Sequence, residues 1–222
     1  MKKEIFICAA VLSAGVVGIG IFASLFIRQV NAEAKVAHES EMSRRRAIPA
    51  EWTSARVTGD AMRREGVSTA PYVLVEFGDY QCPPCHSIAP QLKQIESDSH
   101  GRLSIVFRHL PLNSHPLALN AATAAEAAAE QGRFWEMHER LYSDLDKLNE
   151  VDIVRYAREI GLDEAKFDKA RRGSARQTVL ADNATAQSLA LRGTPSLLLC
   201  DSTGTVSETS LDELRTVFGG KH

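Results

Sequence analysis

Cysteine is scarce in this chain, four residues in 222. That is too few for the dense disulfide framework that holds small secreted domains together. An excess of charge is also missing: lysine plus arginine number 26 against 28 aspartate plus glutamate, a net charge of −2. No basic stripe interleaved with aromatics is present, so nothing draws the chain to nucleic acid. No internal repeat is visible, and low complexity is confined to one alanine-rich stretch. What remains is an ordinary globular composition, 44% apolar and 24% charged. It suffices for one sizeable domain plus an appendage.

The appendage is N-terminal. Lys2 and Lys3 precede an uncharged apolar run from Ile5 to Ile27, closed by Arg28. A run of that length can cross a hydrocarbon core as a helix and exceeds the usual apolar segment of a cleaved signal peptide. Val30-Asn31-Ala32 resembles a cleavage site, which keeps the signal-peptide reading open. Lys2 and Lys3 favour a cytoplasmic N-terminus, while Arg28, Lys35 and Arg44-Arg45-Arg46 argue the reverse, so charge alone does not fix the orientation. Cys8 in this run and Cys200 near the far end are isolated and read as small buried apolar residues. The expected organisation is residues 1–32 as a membrane anchor or signal peptide, 33–67 as a polar linker in which Trp52 is expected to pack on the domain, and 68–222 as an α/β domain.

Within that domain Tyr72-Val73-Leu74-Val75-Glu76-Phe77 reads as a buried strand between Pro71 and Gly78. A helix follows with Ile88, Leu92 and Ile95 at helical spacing, closed by Gly101. Leu103–Phe107 is a second strand. The alanine-rich Ala121–Ala129, Phe134–Tyr142, a face of Ile153, Tyr156, Ala157 and Ile160, a helix capped by Asp163, and Ser174–Arg192 make a helical block. Gly193-Thr194-Pro195 then breaks the chain before the strand Ser196–Cys200. A turn, a weak polar strand and a last helix opened by the capping box Ser210-x-x-Glu213 complete the order. A central sheet with packed helices follows, the helical block of about 116–182 being inserted between its second and third strands.

The chemistry gathers at Cys82-Pro83-Pro84-Cys85. A cysteine at a helix N-terminus faces unpaired N–H groups and the positive end of the dipole; both favour thiolate and make it an attacking group. Proline is tolerated there because its missing N–H would have no partner. Three other readings use the same residues. Half a zinc site would need a second ligand pair, and no fitting Cys or His spacing exists. A structural disulfide across so short a loop would constrain the unfolded chain little. With His86 the motif becomes C-x-x-C-H, the pattern of covalent haem attachment, for which Met137 or a histidine could supply a second ligand. Its position after a buried strand favours the redox dithiol. No cofactor and no metal are therefore expected. His109 and His115 receive no role, and Asp79, lying beyond Gly78, is expected to be exposed.

Together these features resemble the thioredoxin superfamily, in its DsbA-like envelope branch, over about residues 68–218. Glu76 lies where that superfamily places a buried acid. Cys85 is followed by His86-Ser87-Ile88-Ala89-Pro90, with Pro90 at the position of a helix-kinking proline. Gly193-Thr194-Pro195 resembles the family's cis-proline loop, and the segment Ala121 to Tyr142 resembles its helical insertion. The resemblance implies a thioredoxin-like α/β fold with a helical insertion, preceded by one N-terminal transmembrane helix. It implies a thiol–disulfide oxidoreductase acting on protein thiols or disulfides, with Cys82 as exposed nucleophile and Cys85 as buried resolving thiol. Glu76 would manage the proton on Cys85, and Thr194 with a cis Pro195 would bind substrate. It further implies a bacterial inner-membrane protein with its catalytic domain in the periplasm, or a secreted periplasmic one if cleaved, and a membrane redox partner of DsbB or DsbD type. Two departures stand out. Pro-Pro replaces the Pro-His of the strong oxidant, so a weaker oxidant is expected, forming disulfides or, in an alternative, reducing or isomerising them, with a catalytically silent chaperone module as a remote alternative. Residues 33–67 lack the apolar content of the dimerisation domain in the isomerase branch, so the catalytic domain is expected to be monomeric.

Overall fold

The computed structural model describes residues 52–59 and 63–219. Its frame is a five-stranded sheet in the order β1-β3-β2-β4-β5, with β1 at Arg64–Gly66, β2 at Tyr72–Gly78, β3 at Leu103–His109, β4 at Ser196–Cys200 and β5 at Val206–Glu208. β2 pairs parallel with β3 and antiparallel with β4, so it is fully flanked. A parallel pair requires a crossover, and helix α2, Pro83–Asp98, supplies it.

Strand alternation divides β2 between two faces. Leu74 packs with Leu92 and Ile95 of α2 and with Leu214 and Phe218 of the last helix, α8 (Leu211–Phe218). Val75 and Phe77 pack on the other face with Ala186 and Leu189 at the end of α7 (Ser174–Ser188). Glu76 shares the α2 side with Leu74 by this alternation.

The expected insertion is present between β3 and β4 as α3 (Ala118–Ala129), α4 (Phe134–Ser143), α5 (Glu150–Glu159), α6 (Glu164–Arg172) and α7. Alanine explains α3's place: short side chains let α4, α5, α6 and α7 all close upon it, and every residue from Ala121 to Ala129 is buried. Side-chain caps from Asn149 and Asp163 start α5 and α6, and the Ser210–Glu213 capping box starts α8.

The stretch read from sequence as linker to residue 67 departs from that reading at its end. Helix α1 (Ser54–Thr58) and β1 fall inside it, and Val57 and Arg63 are buried, while Trp52 packs on the domain as expected. Apolar packing and a buried ion network hold this stretch, Trp52 and Val57 joining the cluster of Val75, Phe77 and Val106. Arg63 pairs with Asp182 and Glu126. Arg108 donates to Asp182 at 2.6 Å and 2.9 Å and to the Arg56 carbonyl at 2.9 Å. The acids that hold this polar strap come from the distant insertion, so no local apolar period announces it. Among the described residues no helix is long and apolar enough to cross a membrane; the Ile5–Ile27 segment and Cys8 lie outside them.

Candidate redox site

β2 ends at Gly78, where a Cβ would lie 2.4 Å from the Phe107 ring. Only glycine lets that ring approach so closely. The chain turns through Asp79, Tyr80 and Gln81 and enters α2 with Cys82 as its extended N-cap. Pro83 and Pro84 fill the first helical positions, where no N–H partner is required. The Cys82 N–H donates to the Asp79 carbonyl at 3.1 Å, and its Sγ donates to the Thr194 carbonyl at 3.4 Å. The Thr194–Pro195 peptide bond is cis. The Thr194 hydroxyl is buried without a partner.

Neither Cys82 nor Cys85 is in a disulfide. The sequence led us to expect Cys82 exposed and Cys85 buried. Cys85 is 0% exposed, but Cys82 is only 4% exposed. The Thr194 carbonyl covers its sulfur, and it packs in the same cluster as Tyr80 and Phe107. Burial pushes the Cys85 thiol far above its ordinary range, and the neighbouring Glu76 carboxylate adds to this; a hydrogen bond from the Asp79 backbone works the other way.

Glu76 is 2% exposed and stands between Phe107 on β3 and Leu197 on β4. Its Oε1 is buried without a partner. Burial pushes its carboxyl up to about 8. Glu76 lines a cavity of about 360 Å³, with His86 and Pro90 from α2 and Trp135, His138 and Tyr142 from α4. Burial, with a lesser contribution from His109, pushes His138 down to about 3, so this ring is neutral at working pH. Its Nδ1 is 3.0 Å from the Tyr80 hydroxyl.

The structure thus brings Cys82, Cys85, Glu76, Thr194 and Pro195 to one end of the sheet. It also reveals participants that sequence reasoning missed. Asp79, expected exposed, is 2% exposed. Its partners Leu112 and His115 are 33 and 36 residues away, so no local signal marks its burial. His115, given no role, bonds Asp79 at 2.8 Å, while His109 bonds Glu126 at 2.8 Å. Met137, considered as a haem ligand, is fully buried in the insertion core. Among the described residues no group of three or more His, Cys, Asp or Glu is arranged to hold a metal ion.

A family profile described as thioredoxin matches residues 59–216. Three solved structures share the fold. A thioredoxin-like oxidoreductase from Silicibacter pomeroyi is 27% identical, with a TM-score of 0.62 over 72% of this chain and 92% of that one. The thiol–disulfide exchange protein alpha-DsbA2 from Wolbachia pipientis is 22% identical, with a TM-score of 0.63 over 73% and 88%. The catalytic domain of Proteus mirabilis ScsC is 21% identical, with a TM-score of 0.60 over 73% and 90%. Among curated sequences, the Na(+)/H(+) antiporter NhaA 3 of Salinispora tropica is 41% identical over 138 residues, 60% of this chain and 21% of the antiporter. The chain therefore spans about a fifth of the length of the curated relatives it matches.

Proposed function

The chain belongs to the thioredoxin family, and on that premise we propose that it is an oxidoreductase that exchanges disulfides with protein substrates through Cys82 and Cys85. One observation carries this reading: Cys82 caps α2 with its sulfur against Thr194, while Cys85 lies buried beside an ionisable acid.

In the forming direction a client thiolate attacks Cys82 Sγ of the Cys82–Cys85 disulfide. The bond between the cysteines breaks, a client–Cys82 disulfide forms, and Cys85 leaves as thiolate. Burial makes that thiolate costly, so it takes a proton, and Glu76 supplies it. A second client thiolate then attacks the client sulfur, and Cys82 leaves. Two electrons have passed from client to enzyme, whose dithiol must be reoxidised. In the reverse direction Cys82 attacks, and Cys85 gives its proton to Glu76 before resolving the mixed disulfide. Thr194 and Pro195 receive the client backbone where the Thr194 carbonyl now meets Cys82.

The direction we propose is disulfide formation, by an oxidant weakened by the absence of a histidine between the cysteines. The proposed setting is the bacterial periplasm, with Ile5–Ile27 as an uncleaved anchor, a membrane partner of DsbB or DsbD type, and a monomeric catalytic domain. Oxidising compartments are where such chemistry persists. A redox titration of the Cys82–Cys85 pair, combined with its oxidation state in cells, tests direction. A pair held oxidised in cells supports disulfide formation, and a pair held reduced would assign the chain to reduction or isomerisation. A soluble product beginning near Glu33 would remove the anchor.

A further inference from the structure

We propose that Asp79 is the positioning residue of the dithiol, holding both cysteines in register by tying their turn to the β3–α3 loop. This rests on the exchange reading above and adds to it a residue that does not itself react.

The carboxylate of Asp79 is gripped from three directions: the Gln81 N–H at 2.7 Å, the Leu112 N–H at 2.9 Å and His115 Nδ1 at 2.8 Å. Its main chain faces the chemistry. The Asp79 carbonyl accepts from the Cys82 N–H at 3.1 Å and from the Tyr142 hydroxyl at 3.3 Å. Its backbone also hydrogen-bonds the Cys85 sulfur. One residue therefore contacts both cysteines through its backbone while its side chain is clamped to a loop more than thirty residues away. Gln81 repeats the tie, its Oε1 accepting from the Leu117 N–H at 2.8 Å.

A buried acid is commonly an ion-pair partner of the core, as Asp182 is for Arg63 and Arg108. Asp79 differs. Among the described residues no lysine or arginine is seen to bond it; two backbone dipoles and one imidazole approach it, and the Gln81 and Leu112 N–H groups need an acceptor there. An arrangement that spends three donors on one turn fixes where Cys85 sits relative to Cys82, and a shift of about 1 Å between reacting groups slows an intramolecular step by orders of magnitude.

The test uses the reduced full-length chain and glutathione disulfide. Attack by Cys82 breaks the glutathione S–S bond, gives a Cys82–glutathione disulfide and releases one glutathione thiol. Resolution by Cys85 forms the Cys82–Cys85 disulfide and releases the second. Mass spectrometry of quenched samples follows both steps. Asp79→Asn, whose amide nitrogen cannot accept from a backbone N–H, should lengthen the mixed-disulfide lifetime about tenfold or more relative to the attack time. His115→Ala should lengthen it less, and His115→Gln, which keeps a donor, should restore it. A fall of both steps in proportion to a lost folded fraction would make Asp79 merely structural and overturn the proposal. So would unchanged rates in folded Asp79→Asn. If Asp79→Asn does not fold, an unchanged lifetime in the partly exposed His115→Ala overturns it. A wild-type chain that forms neither adduct nor disulfide would overturn the exchange reading itself, a different result from normal exchange that is blind to Asp79.

Discussion

Cys82 Sγ and the Thr194 carbonyl oxygen, 112 residues apart in sequence, meet at 3.4 Å. The contact joins the start of α2 to the loop entering β4, and it uses the backbone of Thr194 rather than its side chain. The Thr194 hydroxyl, by contrast, is buried with no partner. A buried unpaired hydroxyl costs roughly 1–3 kcal/mol. Thr194→Val should therefore leave the fold as stable or more stable, by up to about 1 kcal/mol after packing adjustments. Denaturant unfolding measures this, and a clear loss of stability would mean the hydroxyl is bonded in solution.

Glu76 makes stability depend on pH. Below its ordinary value of 4.5 the carboxyl is protonated in both folded and unfolded chains. Between 4.5 and about 8 the unfolded chain ionises while the buried group stays protonated, so stability is lost as pH rises; above about 8 the loss is complete. At about 1.36 kcal/mol per unit, that interval corresponds to at most about 5 kcal/mol. Glu76→Gln should match the wild type near pH 4 and exceed it increasingly up to about pH 8, with no further divergence. A constant difference across a pH series of urea melts would contradict this.

The same residue should act on one step of exchange. As pH rises through about 8, Glu76 becomes able to accept the Cys85 proton, so resolution should accelerate across that range. Glu76→Gln should slow resolution roughly tenfold to a hundredfold between about pH 7 and 9, leaving attack by Cys82 largely intact. The defect should shrink at higher pH, where hydroxide replaces the base. Rapid-quench kinetics at each pH resolve the steps, and superimposable profiles would leave Glu76 a structural residue.

The buried ion network gives a prediction of another kind. Asp182→Ala strands Arg63 and Arg108 without their shared carboxylate. Breaking a buried pair on one side costs about 3–5 kcal/mol. The melting temperature should fall accordingly, while exchange per folded molecule stays unchanged because the network does not touch the dithiol. Loss of exchange in folded protein would show the strap to be coupled to the site.

How much of this was legible beforehand follows from the range of each interaction. β2, α2, β3, the helical insertion, β4 and the Ser210–Glu213 cap rest on local periodicity and capping, and all could be read from the chain. Cys82, Cys85 and Glu76 carried their own signals, a motif at a helix start and a carboxyl in an apolar strand. The packing of Trp52 on the domain was expected and is seen, but the burial of Asp79 and the ordering of α1 and β1 could not be read, since both depend on partners from β3, its following loop or the insertion. Cys82 was misjudged as exposed because the residue that covers it, Thr194, arrives from the far end of the fold.

In the proposed exchange Cys82 attacks and Cys85 resolves. The most direct measurement is non-reducing mass spectrometry of protein adducts captured in cells by Cys85→Ser and by Cys82→Ser. Cys85→Ser should accumulate client chains linked to Cys82, because attack proceeds and resolution cannot, while Cys82→Ser should capture none. Clients linked to Cys85 in the Cys82→Ser chain, with none on Cys82 in the other, would reverse the two roles and contradict the proposed exchange.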